Sequence, residues 1–376
     1  MTDHIITGKQ MQSIIAMFWL GSLVVIGASK EAKQDYWISI LVSAIMILPL
    51  IFLYVRLIRL YPGLNLFEIL FQIFGKIFGR VISILFVFFA IHLGSMVMCV
   101  FSSFIHIVNM PETPDIIISA MILVISVMSV KNGPENIGRV AKYTWVLLAV
   151  FVPFTFVVGI KNMQFSNLLP VLSVDFKSIL GSAYTMFTLP LGEAILCLSF
   201  FSAVDKKENP YKVYIKALVV AIIIILIVAL RNLLILGPTS VTLFEYPSYE
   251  AVSIISIGEF FTRIEVLIGI NLMLAGFIKF CVCLYTASLG LAKVLNVPDQ
   301  KLLVVPCALI ILTLSTLLYK NIQDMMGWIK YFSIYAIPFE VILPVVTLIG
   351  AEIQNKMKSG GSSKPKGSEN GNEPAS

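Results

Sequence analysis

The chain has 376 residues, of which 58% are hydrophobic and 13% charged, with a formal net charge of +6. A soluble domain is roughly half apolar and a quarter charged, so a water-soluble core, and with it a soluble enzyme, is excluded for most of this length. Apolar stretches recur along the chain at about the 20 residues that a helix needs to cross a bilayer, which makes lipid the expected solvent.

Taken in chain order, apolar runs bounded by charge, Pro and Gly predict ten spans: 11–28, 37–55, 81–108, 116–130, 143–160, 179–204, 213–236, 264–291, 302–318 and 331–352. The fold class is therefore all-α and polytopic, one transmembrane domain over 1–355 with halves of about 11–160 and 179–352. The first run resembles a signal peptide in isolation, but the equally apolar runs behind it favour an uncleaved span. Between the second and third runs, Asn65 to Gly79 reads as an amphipathic helix, with Asn65 and Glu68 spaced as a capping box, lying at the interface or against the bundle. Residues 356–376, rich in Gly, Ser, Lys, Asn and Pro, predict a disordered tail.

Ten alternating spans divide the basic residues 18 to 7 between the two faces, with Lys216 at the start of the seventh span counted and the deeper Arg231 and Lys279 left out. By the positive-inside rule the richer face, which carries both termini, is cytoplasmic.

Breaks in transmembrane helices are tolerated only where the freed backbone faces protein or a watery cavity, so they locate candidate sites. The first span contains Leu20-Gly21-Ser22 and Gly27-Ala28-Ser29, and the sixth contains Thr188-Leu189-Pro190-Leu191-Gly192-Glu193. These are the first helices of two successive five-helix halves, the placement expected of inverted repeats around a midplane site. Free N–H and C=O groups and helix-end partial charges there suit the carboxylate and ammonium of an amino acid. Close packing at Gly21 and Gly27 and a simple kink at Pro190 explain the same residues without a ligand.

Intramembrane charge is the second pointer, since it is costly and normally faces the bundle interior. Glu193, Arg231, Lys279 and Glu340 are the candidates. Arg231 lies near a predicted helix end and is expected to snorkel, and Glu340, between Pro338 and Pro344, is expected to satisfy distorted backbone. Lys279 is too deep to snorkel. It is left with three roles: pairing with Glu193, binding a ligand carboxylate, or standing where a coupling sodium ion would stand in another transporter.

The five cysteines all fall in apolar runs and read as small buried hydrophobes, with no disulfide framework. Cys281 and Cys283 point to different helix faces, and His92 and His106 lie roughly 21 Å apart along one helix, so no metal site is expected. No phosphate loop, Ser–His–Asp order or zinc-protease run is present, and neither catalytic residues nor a cofactor are expected.

Several segments resemble the B-subunit, or spore permease, family of nutrient germinant receptors from endospore-forming bacteria. They are Gly27-Ala28-Ser29-Lys30-Glu31-Ala32-Lys33-Gln34-Asp35-Tyr36-Trp37-Ile38-Ser39, Leu60-Tyr61-Pro62, Pro111-Glu112-Thr113-Pro114, Asn167-Leu168-Leu169-Pro170-Val171-Leu172, Leu191-Gly192-Glu193, Arg263-Ile264-Glu265, and Gly276-Phe277-Ile278-Lys279 leading to Leu284-Tyr285-Thr286-Ala287. Their order and spacing cover residues 5 to 352. The family itself resembles the amino acid–polyamine–organocation transporters, which implies a five-plus-five inverted repeat (LeuT-like) with interrupted first and sixth helices. The resemblance further implies a subunit in the inner spore membrane that senses an amino acid or another nutrient together with A and C subunits, and has no nucleic-acid partner. An amino acid permease that transports its ligand is the other function such a chain could have.

Carried over by position, the resemblance implies a ligand site of Gly21, Ser22 and Val25 in the first helix, Thr188, Leu189, Gly192 and Glu193 in the sixth, and Lys279 in the eighth. Phe187-Thr188-Leu189-Pro190-Leu191-Gly192-Glu193 departs from the Phe-Pro-Phe-Gly-Glu form associated with relatives, which bears on pocket shape.

Overall fold

The computed structural model describes residues 5–21, 30–108, 110–255 and 265–361. Within them the chain is helical throughout, apart from loops and one isolated bridge between Ile6 and Val204. Eight helical segments are long and apolar enough to cross a membrane: Glu31–Leu60, Leu66–Val108, Pro134–Asn162, Phe176–Ala203, Pro210–Leu243, Val266–Leu295, Lys301–Leu318 and Ile322–Met357. The other two expected runs are also helical, Gly8–Leu20 and Asp115–Lys131, so all ten apolar runs correspond to helices. Below they are numbered first to tenth in chain order.

Local chemistry sets where several of these helices begin. The Thr7 side chain accepts from the Gln10 N–H while the Thr7 N–H donates to Gln10 Oε1 at 2.9 Å, a reciprocal cap on the first helix. Asn65 and Glu68 make the same reciprocal pair at 3.1 Å each, as their spacing predicted. Pro134 and Pro210 occupy first-turn positions, where a missing N–H costs nothing.

The amphipathic segment is a helical leg of its own, from Leu66 to Gly75, set off from the long third helix by a kink. Gly75 is non-helical there at φ 73° and ψ −171°, a conformation open to glycine at little cost. Leu66, Phe67, Ile69 and Leu70 are buried against the bundle on that leg. Past the bend, Ile77 and Phe78 turn outward, as exposed apolar residues do on a lipid-facing surface.

The third and eighth helices pack along each other's length at the centre of the bundle. Their approach depends on missing side chains, since a Cβ on Gly276 would lie 1.8 Å from the Phe101 ring and one on Gly290 would lie 2.3 Å from the Phe67 ring. In lipid, where apolar side chains gain little by leaving the solvent, such close contact is a main source of helix association.

The start of the first helix is tied to the end of the sixth. Ile6 N–H donates to Ala203 O at 2.7 Å, Asp205 N–H donates to Ile6 O at 3.1 Å, and Gly8 N–H donates to Glu208 Oε1 at 2.9 Å. At the opposite end, Asp35 is fully buried and its two carboxylate oxygens accept from the N–H groups of Leu172 and Val174 at 2.8 and 3.1 Å. The Asp35 of the long family-like motif thus fastens the loop entering the sixth helix.

Two expectations change. The last helix runs to Gly361, past the expected tail start at Lys356; Arg56 pairs with Glu352 at 2.6 Å, and Gln354 donates to the carbonyls of Gln72 and Ile73, which holds these turns. The seventh helix reaches a non-helical residue at Gly237 (φ 79°, ψ 164°), as expected of a span ending at 236, and a further helical piece runs on to Leu243. Arg231, although it lies less than two turns before that kink, does not snorkel. It is fully buried, donating to Thr155 Oγ1 at 2.7 Å and to Asn232 Oδ1 at 2.8 Å, and Asn232 in turn donates to Ser248.

Lys293 and Glu68 pair at 2.7 Å, and the Arg56–Glu352 contact joins the second and tenth helices at the same face of an alternating ten-span bundle. Single cysteines at Glu112 and Lys206 are therefore expected to label from opposite sides of the membrane, against a background of five buried native thiols. Labelling of both from one side would overturn the alternation.

Candidate functional site

The first helix ends at Leu20, with Gly21 as its C-cap at φ −21° and ψ −96°. Ser22 and Val25, two of the expected site residues, lie outside the described residues. The sixth helix is regular over Phe176–Met186, widens into a π turn over Phe187–Leu191, and continues as a 3₁₀ stretch over Gly192–Ala203. Leu189, at φ −121° and ψ 107°, is the non-helical residue at the break. The sixth helix is interrupted where expected; in the first, the residues after Gly21 lie outside the described residues.

Four carbonyls at and beyond the sixth-helix break are met by neighbours. The Trp19 indole N–H donates to Leu191 O at 3.0 Å, and the Tyr54 hydroxyl of the second helix lies 3.2 Å from Gly192 O and 2.8 Å from Glu340 O. Tyr214 and Thr286 hydroxyls donate to Ala194 O and Leu196 O at 3.4 and 3.2 Å. Thr188 shares a hydrogen bond of 2.8 Å with Ser333 of the tenth helix, so its hydroxyl is turned towards that helix.

Charge meets at the break. Lys279 Nζ lies 2.7 Å from Glu193 Oε2, with both residues buried, Lys279 only 1% exposed. The same ammonium stands 5.3 Å from the centroid of the Phe18 ring of the first helix, a cation–π contact. First, sixth and eighth helices are thereby joined through one ammonium. Of the three sequence-level roles for Lys279, pairing with Glu193 is the one its side chain adopts.

The two site glycines make room for charged side chains. A Cβ on Gly21 would lie 2.5 Å from Lys279 Cδ, and one on Gly192 would lie 2.3 Å from Glu340 Oε2. Glu340 was expected only to satisfy distorted backbone. It sits in a second π turn, Pro338–Ile342, fully buried, with its carboxyl facing the break and in the field of Glu193 and Lys279. Its signal in sequence was the acid between Pro338 and Pro344. Trp19, Tyr54 and Phe18 carried none, being aromatic residues in apolar runs.

A separate cavity of about 250 Å³ opens beside the outer part of the eighth helix, lined by residues such as Phe104, Tyr249, Gly269 and Met273. It shares no lining residue with the charged break and is predominantly apolar. Among the described residues no cluster of His, Cys, Asp and Glu is arranged to hold a metal.

The family described as spore germination protein, the spore permeases, matches residues 5–325. The chain belongs to this family. It is similar to spore germination protein KB of Bacillus subtilis (strain 168), at 24% identity over 96% of this chain and 97% of the relative. It also resembles the putative spore germination protein YfkT of the same organism, at 23% identity over 89% of this chain and 91% of that one. Among solved structures it superposes on Mhp1, a nucleobase-cation-symport-1 family transporter in a closed conformation with bromovinylhydantoin bound. The TM-score is 0.69 at 10% identity, covering 92% of this chain and 78% of the other. MhsT in complex with L-phenylalanine matches at a TM-score of 0.55 and 13% identity, covering 92% and 96%. At such identities the likeness is one of fold: the chain is a multi-pass, LeuT-like membrane protein of a germination-related permease family.

Breaking a buried ion pair by removing one partner costs about 3–5 kcal/mol, whereas replacing both members is often nearly neutral. Lys279→Met and Glu193→Gln are each expected to lower the unfolding midpoint of the purified chain, and the double variant is expected to recover much of the loss. Strictly additive losses in this cycle would show that the two charges act independently.

Proposed function

We propose that this chain is the nutrient-sensing subunit of a germinant receptor, binding a small nutrient such as an amino acid at the crossing of the first and sixth helices. The reading rests above all on the buried Lys279–Glu193 pair beside the interrupted sixth helix and the end of the first, in a transporter fold. An ion pair at membrane depth with no other donor reaching Glu193 among the described residues is an expensive element to keep for packing alone. Ligand contacts are assigned to Gly21, Ser22, Val25, Thr188, Leu189, Gly192, Glu193 and Lys279, with an α-carboxylate drawn to Lys279 or to free N–H groups at the break.

The same reading places the chain in the inner spore membrane with both termini cytoplasmic, working with A and C subunits, and makes it a receptor rather than an enzyme. The basic-residue imbalance supports the orientation. Membership of a spore germination family supports the setting. Transport of the nutrient is the competing reading, favoured by a fold shared with transporters.

Binding and uptake separate the two. Purified receptor screened against amino acids, sugars and nucleosides is expected to bind one class saturably, while proteoliposomes of the isolated chain accumulate none of it. Robust accumulation would favour the permease. Gly21→Leu and Gly192→Leu drive a side chain into space held by Lys279 and Glu340, and each is expected to abolish the nutrient response at unchanged protein level. A normal dose response in either variant would remove that glycine from the site.

A further inference from the structure

Of the four charged side chains deep in the bundle, Glu193 and Lys279 pair with one another and Arg231 donates to Thr155 and Asn232. Glu340 differs. Neither of its carboxyl oxygens has a hydrogen-bond partner among the described residues, and its relative exposure is 0%. Its carboxyl lies against Gly192, where a Cβ would come within 2.3 Å of Oε2. An ionised carboxylate in this position would need two or three donors or a cation, and the adjacent ammonium is already committed to Glu193 at 2.7 Å. Two ionised acids sharing one lysine would also leave a whole negative charge uncompensated inside the membrane.

We infer that Glu340 carries an exchangeable proton at the helix break, and that its ionised form receives the ammonium group of a ligand. Written out, R–NH₃⁺ and the Glu340 carboxylic acid give an R–NH₃⁺ carboxylate pair and one released proton. For a simple amine one positive charge enters as one leaves; an amino acid also brings its carboxylate, so its binding leaves the site one negative charge richer, set against Lys279 and the N–H groups at the break. The exchange half rests on the nutrient-binding reading above; the protonation half does not.

Titratable neighbours of the Pro338–Ile342 turn are few. Glu193 comes from the sixth helix and Lys279 from the eighth, and the Tyr54 hydroxyl of the second is bound to Glu340's own carbonyl oxygen. Tyr335 lies one turn earlier on the same helix and feels the Glu340 charge. His92 of the third helix is turned to Tyr319 at 2.9 Å, and Glu352, farther along the tenth, is held by Arg56. None of these supplies Glu340 with a donor.

The test uses the full chain in lipid nanodiscs. Infrared spectra are expected to contain the carbonyl stretch of a protonated carboxylic acid that is lost in E340Q, a variant isosteric with the neutral acid and therefore suited to fold. E340D, which keeps a titrating group, is expected to retain a shifted band. Calorimetry then uses the L-amino acids, with ethylamine and propionate as probes carrying one charged group each, in buffers of different ionisation heat. About one proton should be released per amino acid bound, with affinity rising up to about tenfold per pH unit while Glu340 starts protonated. E340Q should release none and lose that slope. Absence of the E340Q-sensitive band overturns the proton site, and proton-free binding overturns the exchange. If no probe binds while the band is present, the nutrient-binding reading and the exchange fall and the proton site stands.

Discussion

A helix unwound at membrane depth exposes carbonyl and amide groups that lipid cannot satisfy, and each one left unpaired costs several kcal/mol. The centre of this bundle is organised around meeting that demand. Trp19, Tyr54, Tyr214 and Thr286 come from four different helices, and each presents a donor to a carbonyl of the sixth helix between Leu191 and Leu196. These contacts make the break a junction through which the first, second, seventh and eighth helices are registered against the sixth. Any rearrangement that moves the sixth helix must exchange these hydrogen bonds for others, with protein or with entering water.

The charges add a second layer. Lys279 joins three helices through Glu193 and the Phe18 ring, and Gly21 is small because the lysine stem passes across it. Gly192 is small because Glu340 approaches from the tenth helix. Gly21 and Gly192, two glycines that mark helix breaks in the sequence, are thus each matched to a charged side chain from another helix. Backbone interruption and intramembrane charge, read separately along the chain, are two sides of one packing arrangement.

Legibility follows from this. Hydrophobic run length is a local property, and it placed all ten helices; the capping pair Asn65 and Glu68 was equally local and correctly spaced. The Lys279–Glu193 pairing was accessible as one of three roles because charges in lipid have few possible partners. The end of the tenth helix was less so, since it runs on through surface pairs that depend on distant residues. Trp19 and Tyr54 were invisible as site residues because an aromatic side chain in an apolar run looks like core until the carbonyl it serves is known. Glu340 was visible as an acid between prolines, but nothing local shows that the π turn over Pro338–Ile342 swings it towards Gly192.

A transporter fold can sense without transporting, because the two tasks ask different things of the same junction. Sensing requires only that a ligand bind one conformation more tightly than another, and a ligand with equal affinity for both shifts nothing however tightly it binds. The break offers a source of such a difference. Four of its carbonyls are engaged by Trp19, Tyr54, Tyr214 and Thr286 and its ammonium by Glu193, so any ligand bound there would gain most in a conformation where some of these internal partners had been released. Each internal hydrogen bond replaced by a ligand contact lowers the cost of the released state, typically by about 1 kcal/mol and by more where the group is charged. A few such exchanges reach the roughly 5.5 kcal/mol that would carry a two-state equilibrium from 1:99 to 99:1. Transport needs a further property, a second released state opening to the opposite side.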